Sequence, residues 1–282
     1  MNWRGIFTIV RKDISVLRYS PAVIWPIVIV VVIIMGLMPA VFTVPYYFVE
    51  IPENISLEEG LPDDLPEDLR EIYDLIADPL LAQFGGMSPQ EVLVRYFLVY
   101  VFAPMFLIVP VMTTSVIAAD TFVGERERKP LEALLHSPLT DEELLLGKVL
   151  AAFIPGVVVS IIAFVIYSIS VNALSWPIIG AIFFPTPIWL LILVWVMPGV
   201  AALGLGASVL VSSRVKTFQE AYQVSGILVL PIMGLFVGQI FGVFYFSLVL
   251  TLILGVIVWV VDVVLFWIAL EMFSRSEMIS RV

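Results

Sequence analysis

The chain has 282 residues, 61% of them hydrophobic, and its mean hydropathy of +1.08 excludes an ordinary soluble domain, where about 45–50% apolar is usual. It contains no cysteine, which excludes disulfides and thiolate metal sites. The net charge of −10 is local: residues 46–95 hold twelve acidic residues against Arg70 and Arg95, and the remainder sums to zero, so no basic surface points to nucleic acid as a partner.

From the amino end, residues 2–18 predict an amphipathic helix. Trp3, Ile6, Phe7, Val10, Ile14 and Leu17 fall at helical spacing, while Arg4, Arg11, Lys12 and Arg18 lie largely elsewhere. A basic helix with a tryptophan near one end suits the membrane interface, and residues 1–20 are read as such an interfacial helix. A leader helix lying over the bundle has the same pattern. The apolar stretch after Pro21 runs about 25 residues with no small-x-small cleavage pattern, longer than the core of a signal peptide, and is read as a retained first span.

Six spans are predicted, at about 22–45, 96–119, 148–172, 187–211, 222–244 and 248–271, each near the length needed to cross a bilayer. Only Tyr245–Ser247 separates the last two, so a re-entrant hairpin near Gly238–Ser247 is the alternative there. With six spans, twelve of the fourteen basic residues share one side. The positive-inside rule makes that side cytoplasmic, with both termini inside a multi-pass protein of the cell membrane.

The acidic loop 46–95 then faces outward. Leu65, Leu69, Ile72, Tyr73 and Ile76 describe one helical face behind Pro66, and Ser88 with Glu91 forms a capping box into the second span. The expectation is an all-α polytopic fold with a small helical extracytoplasmic cap. Asn54–Ile55–Ser56 is a glycosylation sequon on that side.

The segment 120–147 is not an ordinary reversal. Pro130 fits a first helical turn; Leu131, Leu134 and Leu135 share one face; Ser137–Pro138 ends the helix. Thr140 and Glu143 form a capping box for the next helix. The charged cluster Glu125, Arg126, Glu127, Arg128 and Lys129 flanks the apolar face. A loop that only reverses direction needs neither feature, so a soluble partner is expected to dock here.

Catalytic constellations are missing. Gly147–Lys148 suggests a phosphate loop, but position 142, where the first glycine belongs, is Glu142. The lone His136 reads as a surface residue. An intramembrane enzyme needs two facing titratable groups, and only Asp262 lies well inside a span, about 13 Å from the cytoplasmic end. Such a carboxylate marks a cavity, an ion path or a structural hydrogen bond. Asp120 and Glu271 sit at span ends and read as interfacial.

Gly234, Gly238 and Gly242 form a GxxxGxxxG face for close helix approach, within the chain or between copies, and Ala202 with Gly206 forms a weaker one. Pro104, Pro110, Pro155, Pro198 and Pro231 each remove a backbone hydrogen bond inside a span.

The run E-R-E-R-x-x-L-E-x-L-L-x-S-P-L-T-x-x-E-L-L-L-G-K over Glu125–Lys148 resembles the segment after the second transmembrane helix of ABC-2 type permeases. Lys129–Pro130 departs from the Gly-Thr of many relatives, and proline suits the helix start. More loosely, helix number and spacing extend the likeness over nearly the whole chain, implying one ABC-2 transmembrane domain across 1–282. The resemblance implies a non-catalytic membrane subunit of an ATP-driven exporter. Two copies, a homodimer or a pair with a close paralogue, would assemble with two separately encoded ATPase subunits. ATP and Mg would sit in the ATPase and no cofactor in this chain. Leu131, Leu134 and Leu135 would seat in an ATPase cleft, with Glu125–Lys129 around it. The amino-terminal helix and Arg214–Glu220, where Thr217 and Glu220 make a third capping box, would flank that surface. The resemblance more often places the first and fifth spans at the dimer seam. The alternative keeps the ATPase but transmits force to an extracytoplasmic partner through the acidic cap.

Overall fold

The computed structural model describes residues 2–17, 19–48, 87–124, 140–212, 214–215, 217–240 and 247–272. The helix α1 (Trp3–Leu17) precedes six helices long and apolar enough to cross a membrane: α2 Pro21–Tyr47, α3 Gln90–Gly124, α4 Glu142–Ile179, α5 Pro187–Ser212, α6 Phe218–Ile240 and α7 Leu248–Ala269. No strand occurs among the described residues. The predicted extracytoplasmic helix at 65–76, the sequon and the possible hairpin turn at 241–246 lie outside them.

Cap chemistry sets the boundaries. Ser88 accepts from the Glu91 N–H while Glu91 accepts from the Ser88 N–H, which starts α3 before its apolar run. Thr140 and Glu143 do the same for α4. Helix α4 outruns its predicted end at 172, because apolar residues continue to Gly180, whose φ of +66° closes the helix in the left-handed region.

Helix α3 is the hub: 78% of its apolar window is buried, against 12% for α6. Small residues let its neighbours approach it. A Cβ on Gly156 of α4 would lie 2.2 Å from the Thr114 methyl, and one on Gly204 of α5 would lie 2.7 Å from the Val111 carbonyl oxygen. Hydroxyls fill the resulting seam. Ser115 donates to the Gly204 carbonyl at 3.1 Å and Ser208 donates to the same oxygen at 2.9 Å. Lipid tails are as apolar as leucine, so this close packing, not hydrophobic exclusion, holds helices together in a bilayer.

The first half of α3 is broken and repaired. Phe97–Val101 winds as a π-helix, and Pro104 has no N–H to return to the preceding turn. Side chains from later spans take up the local carbonyls: Tyr167 donates to Leu98 O at 2.5 Å and Trp189 Nε1 donates to Val99 O at 2.7 Å. Their rings stack at 4.6 Å, with Phe184 edge-on to both. Asn172 fastens the α4–α5 turn, donating to Phe184 O at 2.8 Å and accepting from the Phe183 and Phe184 N–H groups at 3.2 Å. Near Pro198 the Trp195 carbonyl likewise accepts from Trp259 Nε1 at 3.1 Å. Beside Pro104 and Pro198, local carbonyls thus find side-chain partners on other spans.

The Gly206 face is an intrachain contact: a Cβ there would meet Leu265 of α7 at 3.4 Å. The Gly234 position is different, since a Cβ there would meet nothing within 4 Å. Gly238 is half-buried, and Gly242 lies outside the described residues.

Candidate functional site

Of the segment 120–147 expected to dock a partner, the two ends, 120–124 and 140–147, are described and its middle, 125–139, is not. Glu125, Arg126, Glu127, Arg128, Leu131, Leu134 and Leu135 thus lie outside the described residues. The two ends anchor that middle, and they meet. Helix α3 ends in a buried π-helical turn, Asp120–Gly124. Lys148, in the second turn of α4, reaches back to it: its Nζ donates to Thr121 O at 2.8 Å and lies 5.6 Å from the centre of the Phe122 ring. The side chain is 6% exposed, so a cation has been taken out of water and given a carbonyl and an aromatic face instead.

Lys148 was legible only as a loop charge and as half of a failed phosphate motif. Its position just before a long apolar run was the available signal, because a lysine there must bend back to some acceptor. Asp120, read as interfacial, is buried in the same turn.

Two further elements brace this base. Helix α1 packs on the start of α4, where a Cβ on Gly147 would touch Ile9 at 3.3 Å. The Asn2 N–H donates to the Glu143 carboxylate, the same group that caps α4. On the other side, Val215, Phe218 and Ala221 pack against Ala119 and Val123 at the end of α3. The Glu220 N–H donates to Thr217 Oγ1 at 3.2 Å, which starts α6 four residues before its predicted span. The amino-terminal helix and the 214–220 region thus flank one end of the bundle together with both anchors of 125–139.

The expected apolar face of α1 divides in two. Ile6, Val10 and Leu17 are buried, whereas Trp3 and Phe7 are more than half exposed. Asp13 joins the buried side, with Lys12 Nζ at 3.6 Å. An acid in register with Ile6, Val10 and Leu17 was the overlooked sign.

Asp262 lies in α7 on the side that meets α5. It is 2% exposed, while its neighbour Val263 is 69% exposed. Neither carboxylate oxygen has a hydrogen-bond donor among the described residues. The facing helix from Met197 to Ser212 carries no titratable side chain. Gly199 approaches Val258 one turn before Asp262, and Gly206 approaches Leu265 one turn after it. With no hydrogen-bond donor to lose among the described residues, Asp262→Asn is expected to leave assembly and thermal stability unchanged. Asp262→Leu is expected to stabilise the solubilised protein by about 1–3 kcal/mol, the cost of an unsatisfied buried polar group. A melting temperature lowered by Asp262→Leu would show that the carboxylate has a partner.

Neither a curated protein nor a solved structure matches the chain. The sequence does match the model of the ABC-2 family transporter proteins over residues 7–253. That span runs from α1 into α7 and includes the charged segment between α3 and α4. With six apolar helices around the α3 hub, and with that match across most of its length, the chain belongs to the ABC-2 family and is a membrane permease of an ABC transporter.

Proposed function

We propose that this permease couples to a separately encoded ATPase through segment 120–147 and that two copies export cargo along the seam between them. The supporting observation is the joint anchoring of 125–139. Lys148 ties the end of α3 to the start of α4, and α1 and the 214–220 region brace the same base. Displacement of the segment is therefore delivered to α3, the most buried helix, and through it to the bundle. ATP and Mg belong to the ATPase, whose closure on nucleotide supplies the push; this chain supplies the path and the docking face.

Co-expression with the cognate ATPase and reconstitution into liposomes tests the reading. Hydrolysis stimulated by a cargo, together with ATP-dependent movement of that cargo, is the expected result. Stimulation by an external protein, with no cargo moved, would replace export by force transmission to a partner at the acidic loop.

The reading requires both termini and 120–147 to face the cytoplasm. The cysteine-free background allows Ser56→Cys, Ser137→Cys and Ser276→Cys to be tested one at a time in intact cells with an impermeant thiol reagent. Ser56→Cys is expected to label, and the other two only after permeabilisation. Labelling of Ser137→Cys with Ser56→Cys silent inverts the orientation and removes the ATPase from this face.

A further inference from the structure

Helix α1 presents three successive strips around its circumference, following from about 100° of rotation per residue. Ile6, Val10, Asp13 and Leu17 form the buried strip. Next comes an aromatic strip, Trp3 at 52% and Phe7 at 58% exposure, with ring centres 6.3 Å apart. Beyond it stand Arg4 and Arg11, both exposed and two turns apart on one side. No acidic side chain among the described residues lies within ion-pair distance of either arginine. The one acid of the helix, Asp13, points to the buried strip. The exposed surface of α1 is therefore cationic, with an apolar edge on one flank.

Position adds a second observation. Helix α1 packs at Gly147, in the second turn of α4, and is followed within four residues by the start of α2 at Pro21. It thus sits at the level where two spans enter the bilayer. Tyr19, 80% exposed, and Trp25, 62% exposed, continue the aromatic edge onto the first span. Aromatic rings of this kind gather at headgroup depth. Guanidinium groups beside them match phosphate in planar, two-point fashion.

We propose that α1 is a binding face for anionic phospholipids, with Arg4 and Arg11 on the headgroups and Trp3 and Phe7 set into the adjoining acyl region. A zwitterionic headgroup offers the same phosphate but brings its own cation, so net negative charge is what the exposed arginines select. Because Asn2 and Ile9 hold α1 to Glu143 and Gly147, the lipid so bound grips the first turns of α4. The proposal concerns the permease alone and stands whether or not an ATPase docks at 120–147.

The test uses the full chain in nanodiscs of zwitterionic lipid with one-third anionic lipid. Thr8→Cys, exposed beside the arginines, carries a fluorophore, and the bromine quencher is placed on the anionic lipid in one set and on the zwitterionic lipid in the other. Quenching per bromine is expected to favour the anionic lipid, by up to roughly five-fold for each arginine at low salt, and the bias is expected to shrink as salt shortens the Debye length from about 30 Å at 0.01 M to about 3 Å at 1 M. Arg4→Gln with Arg11→Gln should remove the bias, and Arg4→Lys with Arg11→Lys should keep most of it. Equal quenching by the two lipids at low salt overturns the proposal. So does a bias that survives the double glutamine change, or a double glutamine change that loses the ATPase with no lipid bias to lose.

Discussion

Leu134→Asp is expected to abolish both co-purification of the ATPase and its stimulation, while the permease reaches the membrane at normal yield. The spacing of Leu131, Leu134 and Leu135 predicts one face of a short helix, and Leu134 is the middle of the three. A central apolar anchor of an interface contributes about 2 kcal/mol or more. Placing a carboxylate in the pocket it leaves adds the cost of desolvating an unpaired charge, several kcal/mol more. Together these predict at least a hundred-fold loss of affinity. The packing of the six spans described above uses none of residues 125–139, so normal membrane yield is the expected control. Leu134→Met, which keeps the volume and the apolar character, should restore coupling. Normal co-purification and stimulation with Leu134→Asp would move the docking face elsewhere.

Gly204→Val is expected to prevent stable folding. A single Cβ there would come to 2.7 Å from Thr114 Oγ1, 2.7 Å from Val111 O and 3.0 Å from Ser115 Oγ. One of these atoms is backbone of the hub helix and cannot rotate away, so α5 must separate from α3 and lose the Ser115 hydroxyl bond to the Gly204 carbonyl. Overpacking commonly costs about 1–3 kcal/mol, and valine adds two methyl groups beyond that Cβ; a loss above about 3 kcal/mol and little protein surviving solubilisation are expected. Gly234→Val is the matched control. Nothing lies within 4 Å of its Cβ position, so the single chain should melt as the parent does, and any defect should be confined to association of two copies. Equal melting temperatures for Gly204→Val and the parent would mean that α3 and α5 do not approach as described.

The contrast between those two glycines shows what could be read in advance and what could not. Gly234, Gly238 and Gly242 form the more conspicuous pattern, yet the tight intrachain approach occurs at Gly204 and Gly156, because closeness depends on what the facing helix brings. Thr114 is that facing residue for both, and nothing local announces it. The six spans and the caps at Ser88 and Thr140 were legible, since length, hydropathy and a hydroxyl three residues before an acid are local chemistry. The division of α1 was not, because a residue turned to lipid and one turned to protein are equally apolar. Lys148 and Asp262 were visible as charges near or inside apolar runs. That one has a carbonyl and a ring for partners while the other has neither is a fact about distant segments.

The carbonyls of Leu98 and Val99 bear on how the protein is made. Their donors, Tyr167 and Trp189, follow them by 69 and 90 residues, so α3 emerges from the ribosome well before either donor exists. Until then its first half would carry free carbonyls into hydrocarbon, where each unsatisfied group costs several kcal/mol. Hydropathy alone thus overstates how readily α3 settles by itself. Its final seating awaits the α4–α5 hairpin, and a nascent chain halted before Trp189 should hold α3 loosely, open to quality-control proteases that the finished bundle resists.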